Sequence, residues 1–375
     1  MNGEKEAISI YVHIPFCERK CPYCDFYSVA TTAEAQKAFM AALYSEWQRR
    51  KVLVSGRTIE SIYLGGGTPT LLGVDKIETI LSWISSDVDI AGAEVTIEAN
   101  PGTVTREDFE GYRRAGVNRV SIGVQALDDT LLEALGRTHN ADAAVAAVEN
   151  AAAAGIGNIS IDLMYDIPGQ TESLWRATVE AAAALPITHL SLYNLTIEPK
   201  TAFAVRREEV TDAMPGDAVS TKMLHDAVDI LAGSGLDRYE ISAFAKDGNS
   251  SRHNTGYWTG RDVVGLGPAA FSYLQGSRTR NIANIRRYCA EGASVDFEET
   301  LPDDARKREL LAIHLRLLAG VDVAAFERDR GLLDDGTKEA IGRLIIQGLL
   351  EREGTTVRMA PRGRDFYDTI AVAII

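Results

Sequence analysis

Cysteine is scarce, with four residues in 375, and three of the four fall between positions 17 and 24. A secreted protein stapled by disulfides spreads its cysteines so as to close loops, so this clustering argues against a disulfide framework. It reads instead as metal binding in a reducing cytoplasm. Basic charge is also short: 39 Lys and Arg stand against 53 Asp and Glu, a formal net charge of −14. Such a chain has no general attraction for nucleic acid or anionic membrane, and no nucleic-acid partner is expected. No apolar run reaches the length of a membrane span, and the alanine-rich stretch 143–154 has the pattern of an amphipathic helix. The opening segment lacks the ordered regions of a secretory leader, so a cytoplasmic protein is expected. Low-complexity tracts are absent as well. Hydrophobic residues at 46% and charged residues at 25% are ordinary for a folded chain. The length suits one large domain, alone or with a small one attached.

From the N-terminus to about residue 200, short β-branched runs alternate with longer helical stretches. Strands are predicted at 8–14, 61–65, 94–100, 119–125, 158–165 and 189–196. Between them lie helix signals. Thr31 and Glu34 suggest a capping box ahead of an apolar stripe of Phe39, Leu43 and Trp47, and Thr105 opens a helix that Gly116 closes. Six β-then-α units predict a parallel sheet with helical crossovers, two short of a complete eight-unit barrel. The strands favour a partial barrel over an open doubly wound sheet. Val95, Ile97 and Ala99 oppose Glu94, Thr96, Glu98 and Asn100; Val120, Ile122 and Val124 oppose Ser121, Gly123 and Gln125; Ile159, Ile161 and Leu163 oppose Ser160 and Asp162. A sheet covered by helices on both faces is apolar on both. Here one face is small and polar. It either lines a ligand-filled interior, into which Tyr11, Glu98, Gln125 and Asp162 would point, or satisfies itself by internal hydrogen bonds.

After residue 200 the pattern changes. A helix near 219–232 leads to a strand-like run at 239–244 and a Gly-rich segment, 248–276, that contains His253. From about residue 303 the chain turns helical, at 308–318 and 338–351, followed by a short strand at 356–359 and a last helix near 364–372. The expected organisation is a barrel over 1–235, a connecting segment over 236–300 and a winged-helix-like C-terminal module over 301–375. The acidic balance argues against DNA binding by that module.

The cysteines read Cys17-Glu-Arg-Lys-Cys21-Pro-Tyr-Cys24. Offsets of four and seven would share a helix face, but Pro15 and Pro22 oppose a continuous helix. A loop that gathers three thiolates is the better reading. It follows the first strand, at the barrel mouth where such folds place chemistry. A structural zinc site would need a fourth ligand, with His13 or Asp25 as candidates. A [4Fe–4S] cluster on three cysteines leaves one iron open to a small molecule. Cys289 stands alone and reads as a small buried hydrophobe.

C-x3-C-x2-C after a first strand resembles the radical S-adenosylmethionine (SAM) superfamily, and Gly65-Gly-Gly-Thr-Pro-Thr70 resembles its glycine motif. The resemblance implies a partial (β/α)6 TIM-like barrel and a [4Fe–4S] cluster on Cys17, Cys21 and Cys24. It also implies SAM chelating the open iron, and cleavage to a 5′-deoxyadenosyl radical with an electron from a separate donor. Further segments extend the likeness over nearly the whole chain: Tyr11-Val-His-Ile-Pro-Phe-Cys17, Glu98-Ala-Asn-Pro101, Ser121-Ile-Gly-Val-Gln125, Leu135-Gly-Arg-Thr-His139 and Asp162-Leu-Met-Tyr-Asp-Ile-Pro-Gly-Gln170. They resemble the oxygen-independent coproporphyrinogen III oxidase family. By that resemblance Tyr11, Tyr23, Gly66, Gly67, Thr68, Glu98, Gln125, Arg137 and Asp162 are SAM-contacting positions.

The family divides into the dehydrogenase proper and a branch of haem chaperones. Three features resemble the chaperones: Phe26 stands where the dehydrogenase has a further cysteine, Cys17 lies close to the start, and His253-Asn-Thr-Gly-Tyr-Trp258 matches their H-N-x-x-Y-W motif. The resemblance implies haem binding at His253, Tyr257 and Trp258, and delivery to an acceptor protein that the sequence does not name. A histidine in such a loop is otherwise simply bonded to its backbone. Oxidative decarboxylation of coproporphyrinogen III, or radical chemistry on another substrate, are the competing functions. Two departures stand out. The chaperones' G-P-G-A-H-S run has Phe271 in place of its histidine, and Asp166 stands where glycine is usual.

Overall fold

The computed structural model describes residues 6–375. Six strand-then-helix units come first. They are β1 (Ala7–Ile14) and α1 (Ala33–Arg50), β2 (Thr58–Gly66) and α2 (Val74–Asp87), β3 (Glu94–Ala99) and α3 (Arg106–Arg114), then β4 (Arg119–Gln125) and α4 (Ala141–Ala153), β5 (Asn158–Tyr165) and α5 (Glu172–Ala184), and β6 (His189–Asn194) and α6 (Asp217–Gly233). Successive strands pair in parallel from β1 to β6. The chain then forms β7 (Asp237–Glu240) and β8 (Ala243–Ala245), which pair antiparallel along the free edge of β6. After α7 (Arg252–Trp258), strand β9 (Asp262–Leu266) lies parallel to β1 on its other side, from Ile8 opposite Asp262 to Val12 opposite Leu266. The parallel run therefore has seven strands. An antiparallel meander of β10 (Phe271–Leu274), β11 (Ser277–Asn281) and β12 (Val295–Thr300) extends it, with α8 (Ile285–Glu291) in the last connection. The twelve strands follow the order β12-β11-β10-β9-β1-β2-β3-β4-β5-β6-β8-β7, an open arc.

The strand alternation predicts this layering correctly. Ile8, Ile10 and Val12 on β1, Val95 and Ile97 on β3, and Val120, Ile122 and Val124 on β4 are buried against helix residues such as Leu43, Trp47, Ile80 and Ile84. The opposite faces carry the polar side chains and look inward. One cap is displaced from its expected place. Thr32, not Thr31, is the N-cap of α1 and accepts from the Ala35 amide, while Thr31 accepts from the Gln36 side chain. Thr105 caps α3 in a full capping box with Asp108. Asp166 has a positive φ of 64°. Its carboxylate accepts from Asn194 and Ser220, local bonding that suits Asp to a glycine-like backbone.

The C-terminal part contains α9 (Asp303–His314), β13 (Val321–Asp322), α10 (Val323–Arg330), α11 (Asp335–Ile346), β14 (Leu350–Glu353), β15 (Thr356–Met359) and α12 (Tyr367–Ile374). The expected helix over 338–351 ends earlier, at Ile346. Leu350–Glu353 is a strand paired with β15, which makes the wing of the winged-helix-like module. Its apolar cluster, with Leu311, Leu315, Ile341, Leu344, Val357 and Met359, is separate from the barrel core, and Ile241 and Tyr273 pack against it from the barrel side. Among the described residues no helix is long and apolar enough to cross a membrane.

Candidate functional site

The cysteine loop leaves β1 at the barrel mouth. Phe16–Cys17 pairs with Val29–Ala30, which closes the loop at its base. Inside it, the Cys24 amide donates to the Cys21 carbonyl at 3.2 Å, and the Phe203 amide ties down the Pro22 carbonyl at 2.9 Å. The glycine motif packs directly beneath. The Gly67 amide donates to Ile14 O and the Thr68 amide to Phe16 O. A Cβ on Gly67 would lie 2.5 Å from Phe16 O, and one on Gly66, where φ is 115°, would lie 2.7 Å from the His13 ring. Side chains at these two positions would push the cysteine loop off the strand ends.

Cys17, Cys21 and Cys24 line a cavity of about 310 Å³ that runs into the barrel. Among the described residues no three His, Cys, Asp or Glu are gathered as ligands of one ion. Three thiols spread around the head of a cavity suit a multi-iron cluster, in which each binds a different iron. A polar belt joins two of them. Arg137 donates to Cys21 Sγ (3.7 Å), Asn100 Oδ1 (2.9 Å) and Gly123 O (2.8 Å). Asn100 donates to Thr68 Oγ1 at 2.8 Å, which lies 3.7 Å from Cys17 Sγ. A guanidinium and a hydroxyl beside sulfur stabilise the negative charge of thiolates or of a cluster.

Of the positions expected to contact SAM, Tyr23, Gly66, Gly67, Thr68, Glu98, Gln125, Arg137 and Asp162 all line this cavity. Tyr11 does not. It lies behind Tyr63, stacked at 6.1 Å between ring centroids, with its hydroxyl 3.1 Å from His13 Nδ1. Tyr63, on the neighbouring strand, takes the place at the wall. Glu98 accepts from Tyr63 Oη (2.9 Å) and the Gly66 amide (3.0 Å). Burial nevertheless pushes its pKa up to about 7, and the same cause raises Asp162 to about 6. Strand alternation did not single out Arg119, which is 2% exposed and faces the same cavity, nor Tyr193 and Asn254, which also line it. Arg119 was legible as the first inward position of β4. Asn254 was not, because it arrives from a segment remote in sequence.

The segment 253–258 falls within α7, a plug across the barrel interior. Glu94 accepts from the Arg252 and His253 amides, both at 3.0 Å, and Ser251 caps the helix. His253 is 2% exposed and stacks on Tyr63 at 4.9 Å. Its Nδ1 lies 2.8 Å from Ser61 Oγ and its Nε2 3.3 Å from Tyr257 Oη. Burial, with Arg261 and Arg119 nearby, depresses its pKa to about 3. Both ring nitrogens are engaged, so in this arrangement His253 supports Tyr257 rather than presenting a free ligand. Tyr257 and Trp258 line a second, apolar groove, while the Tyr257 hydroxyl turns inward to His253.

A family model described as the Radical SAM superfamily matches residues 11–182, and one described as the HemN C-terminal domain matches residues 301–366. The chain is 34% identical over 366 residues to the heme chaperone HemW of Lactococcus lactis, covering 96% of each chain. It is 32% identical to HemW of Escherichia coli, covering 97% of each. Among solved structures, coproporphyrinogen III oxidase (HemN) of Escherichia coli, a radical SAM enzyme, superposes with a TM-score of 0.86 at 23% identity, covering 99% of this chain and 91% of that one.

Proposed function

Because the chain belongs to the radical SAM superfamily and, within it, to the haem chaperone HemW family, we propose that it binds haem and hands it to an acceptor protein under the influence of a [4Fe–4S] cluster and SAM. Cys17, Cys21 and Cys24 would hold the cluster, with Arg137 and Thr68 beside two of the sulfurs. SAM would occupy the cavity below, between Gly66, Gly67, Thr68, Glu98, Gln125 and Asp162, with Tyr23 at the mouth and Tyr11 acting through Tyr63. When bound, the cluster would supply the electron that radical SAM proteins use to cleave a carbon–sulfur bond, and a separate redox protein would donate that electron. The chain's own residues orient the sulfonium-bearing ligand, exclude water from it and balance its charge. Haem would be held near Tyr257 and Trp258, with His253 supporting them from the interior.

The observation that carries this reading is the convergence of three cysteines and the glycine motif on one polar cavity, with the H-N-x-x-Y-W segment spanning from that cavity to the apolar groove. The test is anaerobic reconstitution with iron and sulfide, followed by haem titration and by a turnover assay with reduced cluster, SAM and coproporphyrinogen III. We expect a cluster spectrum that is lost in the triple cysteine-to-alanine variant, saturable haem binding, and no protoporphyrinogen. Sustained formation of protoporphyrinogen would make the chain a dehydrogenase instead.

A further inference from the structure

Arg119 is the first inward position of β4 and stands at the floor of the cysteine cavity. Gln125 ends the same strand at the mouth, so the two backbones are roughly 20 Å apart along it. Arg119 is 2% exposed. Yet, among the described residues, its Nε has no hydrogen-bond partner and its guanidinium is in no ion pair. Thr96 faces it across the β3–β4 ladder, fully buried, and Thr96 Oγ1 is also without a partner. The other guanidinium deep in this cavity is already committed, since Arg137 donates to Cys21, Asn100 and Gly123.

A cation buried without an anion beside it is costly and calls for a partner. The neighbours do not supply one. Glu98 and Asp162 share the cavity wall but form no ion pair with Arg119, and burial, not the Arg119 charge, dominates both their titrations. Its other titratable neighbours are Tyr63, His189, Tyr239 and His253, none of which is an anion at neutral pH. A planar guanidinium offers paired donors that match a carboxylate. Glu98 and Asp162 oppose a dianion such as phosphate, whereas a single carboxylate leaves the floor close to neutral. The ligand is also small, because the cysteine loop covers the mouth and α7 fills the barrel from within.

We propose, resting on the radical SAM reading of this cavity, that Arg119 defines a second subsite below the positions assigned to SAM, and that it takes the carboxylate of a small organic acid on the terminal nitrogens of its guanidinium. An acid held there lies inside the barrel beneath SAM. The subsite shares no residue with the apolar groove lined by Tyr257 and Trp258.

The test uses the full chain with its cluster reconstituted anaerobically. It is titrated by calorimetry, at fixed ionic strength and with and without saturating SAM, with butyrate, its neutral isostere butyramide and inorganic phosphate. Butyrate should bind with a Kd on the order of 1 mM, as one paired charge contact in a small ligand allows. Butyramide and phosphate should bind roughly tenfold or more weakly than that. Arg119→Gln should weaken butyrate by about tenfold or more, and Arg119→Lys should recover part of the loss. Retained cluster absorbance in both variants shows that they fold. Wild-type protein that does not bind butyrate, or binds butyramide equally well, overturns the subsite whether or not the variants fold. Butyrate affinity unchanged in Arg119→Gln overturns it as well. Phosphate bound more tightly than butyrate overturns the carboxylate assignment. Cluster-loaded wild type that fails to bind SAM defeats instead the reading on which the subsite rests.

Discussion

Glu98 and Asp162 are carboxyls placed where water is scarce, and the cost of charging them outweighs the hydrogen bonds they accept. Burial is the largest cause of both shifts, from 4.5 to about 7 for Glu98 and from 3.8 to about 6 for Asp162. A carboxyl whose pKa is raised on folding keeps its proton in the native state while the unfolded chain has already lost it. Each therefore contributes no penalty below its ordinary pKa, a growing one as pH rises towards its folded value, and the full one above that. The cofactor-free chain should lose stability as pH rises from about 4 to about 7. Glu98→Gln should flatten that slope and stabilise the chain at the upper end by roughly 1–3 kcal/mol. Denaturant unfolding of both proteins at the two pH values measures this, and an unchanged slope in the variant would dismiss it. The same burial prepares the cavity for a cationic ligand, since a sulfonium beside Glu98 offsets the charging cost. Both carboxyls were legible in the sequence, because each interrupts an alternating strand on its polar face. That Tyr11 stands one row behind the wall was not, since alternation gives the face of a side chain and not its depth.

Helix α7 has seven residues, a length that has no stability of its own in water. It exists because the barrel supplies its caps. Glu94, buried on β3, accepts from two of its first amides, and Ser251 accepts from the Asn254 amide. Glu94→Ala leaves two amides unpaired inside the protein, a loss on the order of 2 kcal/mol or more. Hydrogen exchange at the amides of Arg252 and His253 should accelerate, and porphyrin affinity should fall, while cluster assembly at the far end of the barrel is retained. Glu94→Gln, which keeps one acceptor, should lie between the two. Equal exchange in wild type and Glu94→Ala would show that the cap is idle. The motif itself was plain in the sequence, but its form was not. Glycines on either side and a central Gly256 suggest a loop, and only the remote carboxylate of Glu94 makes a helix the better arrangement. The wing of the C-terminal module was obscured for a similar reason. The apolar pattern of α11 continues into Leu349 and Leu350, so the helix end is set by Gly348, at φ 70°, and by pairing with β15.

At the scale of the whole molecule, the local units were legible and the closure was not. Six strand-helix units are contacts between near neighbours in sequence, each announced by its own pattern. Strand β9 returns about 250 residues later to pair with β1, and nothing in its five residues points to that partner. The return carries α7 into the barrel, where it lies between the two cavities. Asn254 lines one, and Tyr257 and Trp258 line the other. A continuous set of contacts joins them. Glu98 accepts from Tyr63, Tyr63 stacks on His253, and His253 Nε2 lies 3.3 Å from Tyr257 Oη. A ligand that draws Glu98 into its charged form alters the bond that fixes Tyr63, and through the stack it alters the support of Tyr257. Thermodynamic linkage then requires the effect to run equally in both directions. SAM should change porphyrin affinity by a factor of about five or more, and porphyrin should change SAM affinity by the same factor. Tyr63→Phe keeps the ring stack and removes only the hydroxyl that reaches Glu98, so it should bind each ligand alone with modest loss and bring the factor close to one. Calorimetric titrations of each ligand, with and without the other at saturation, close the cycle. A factor that persists in Tyr63→Phe would mean that the coupling travels through Asn254 instead.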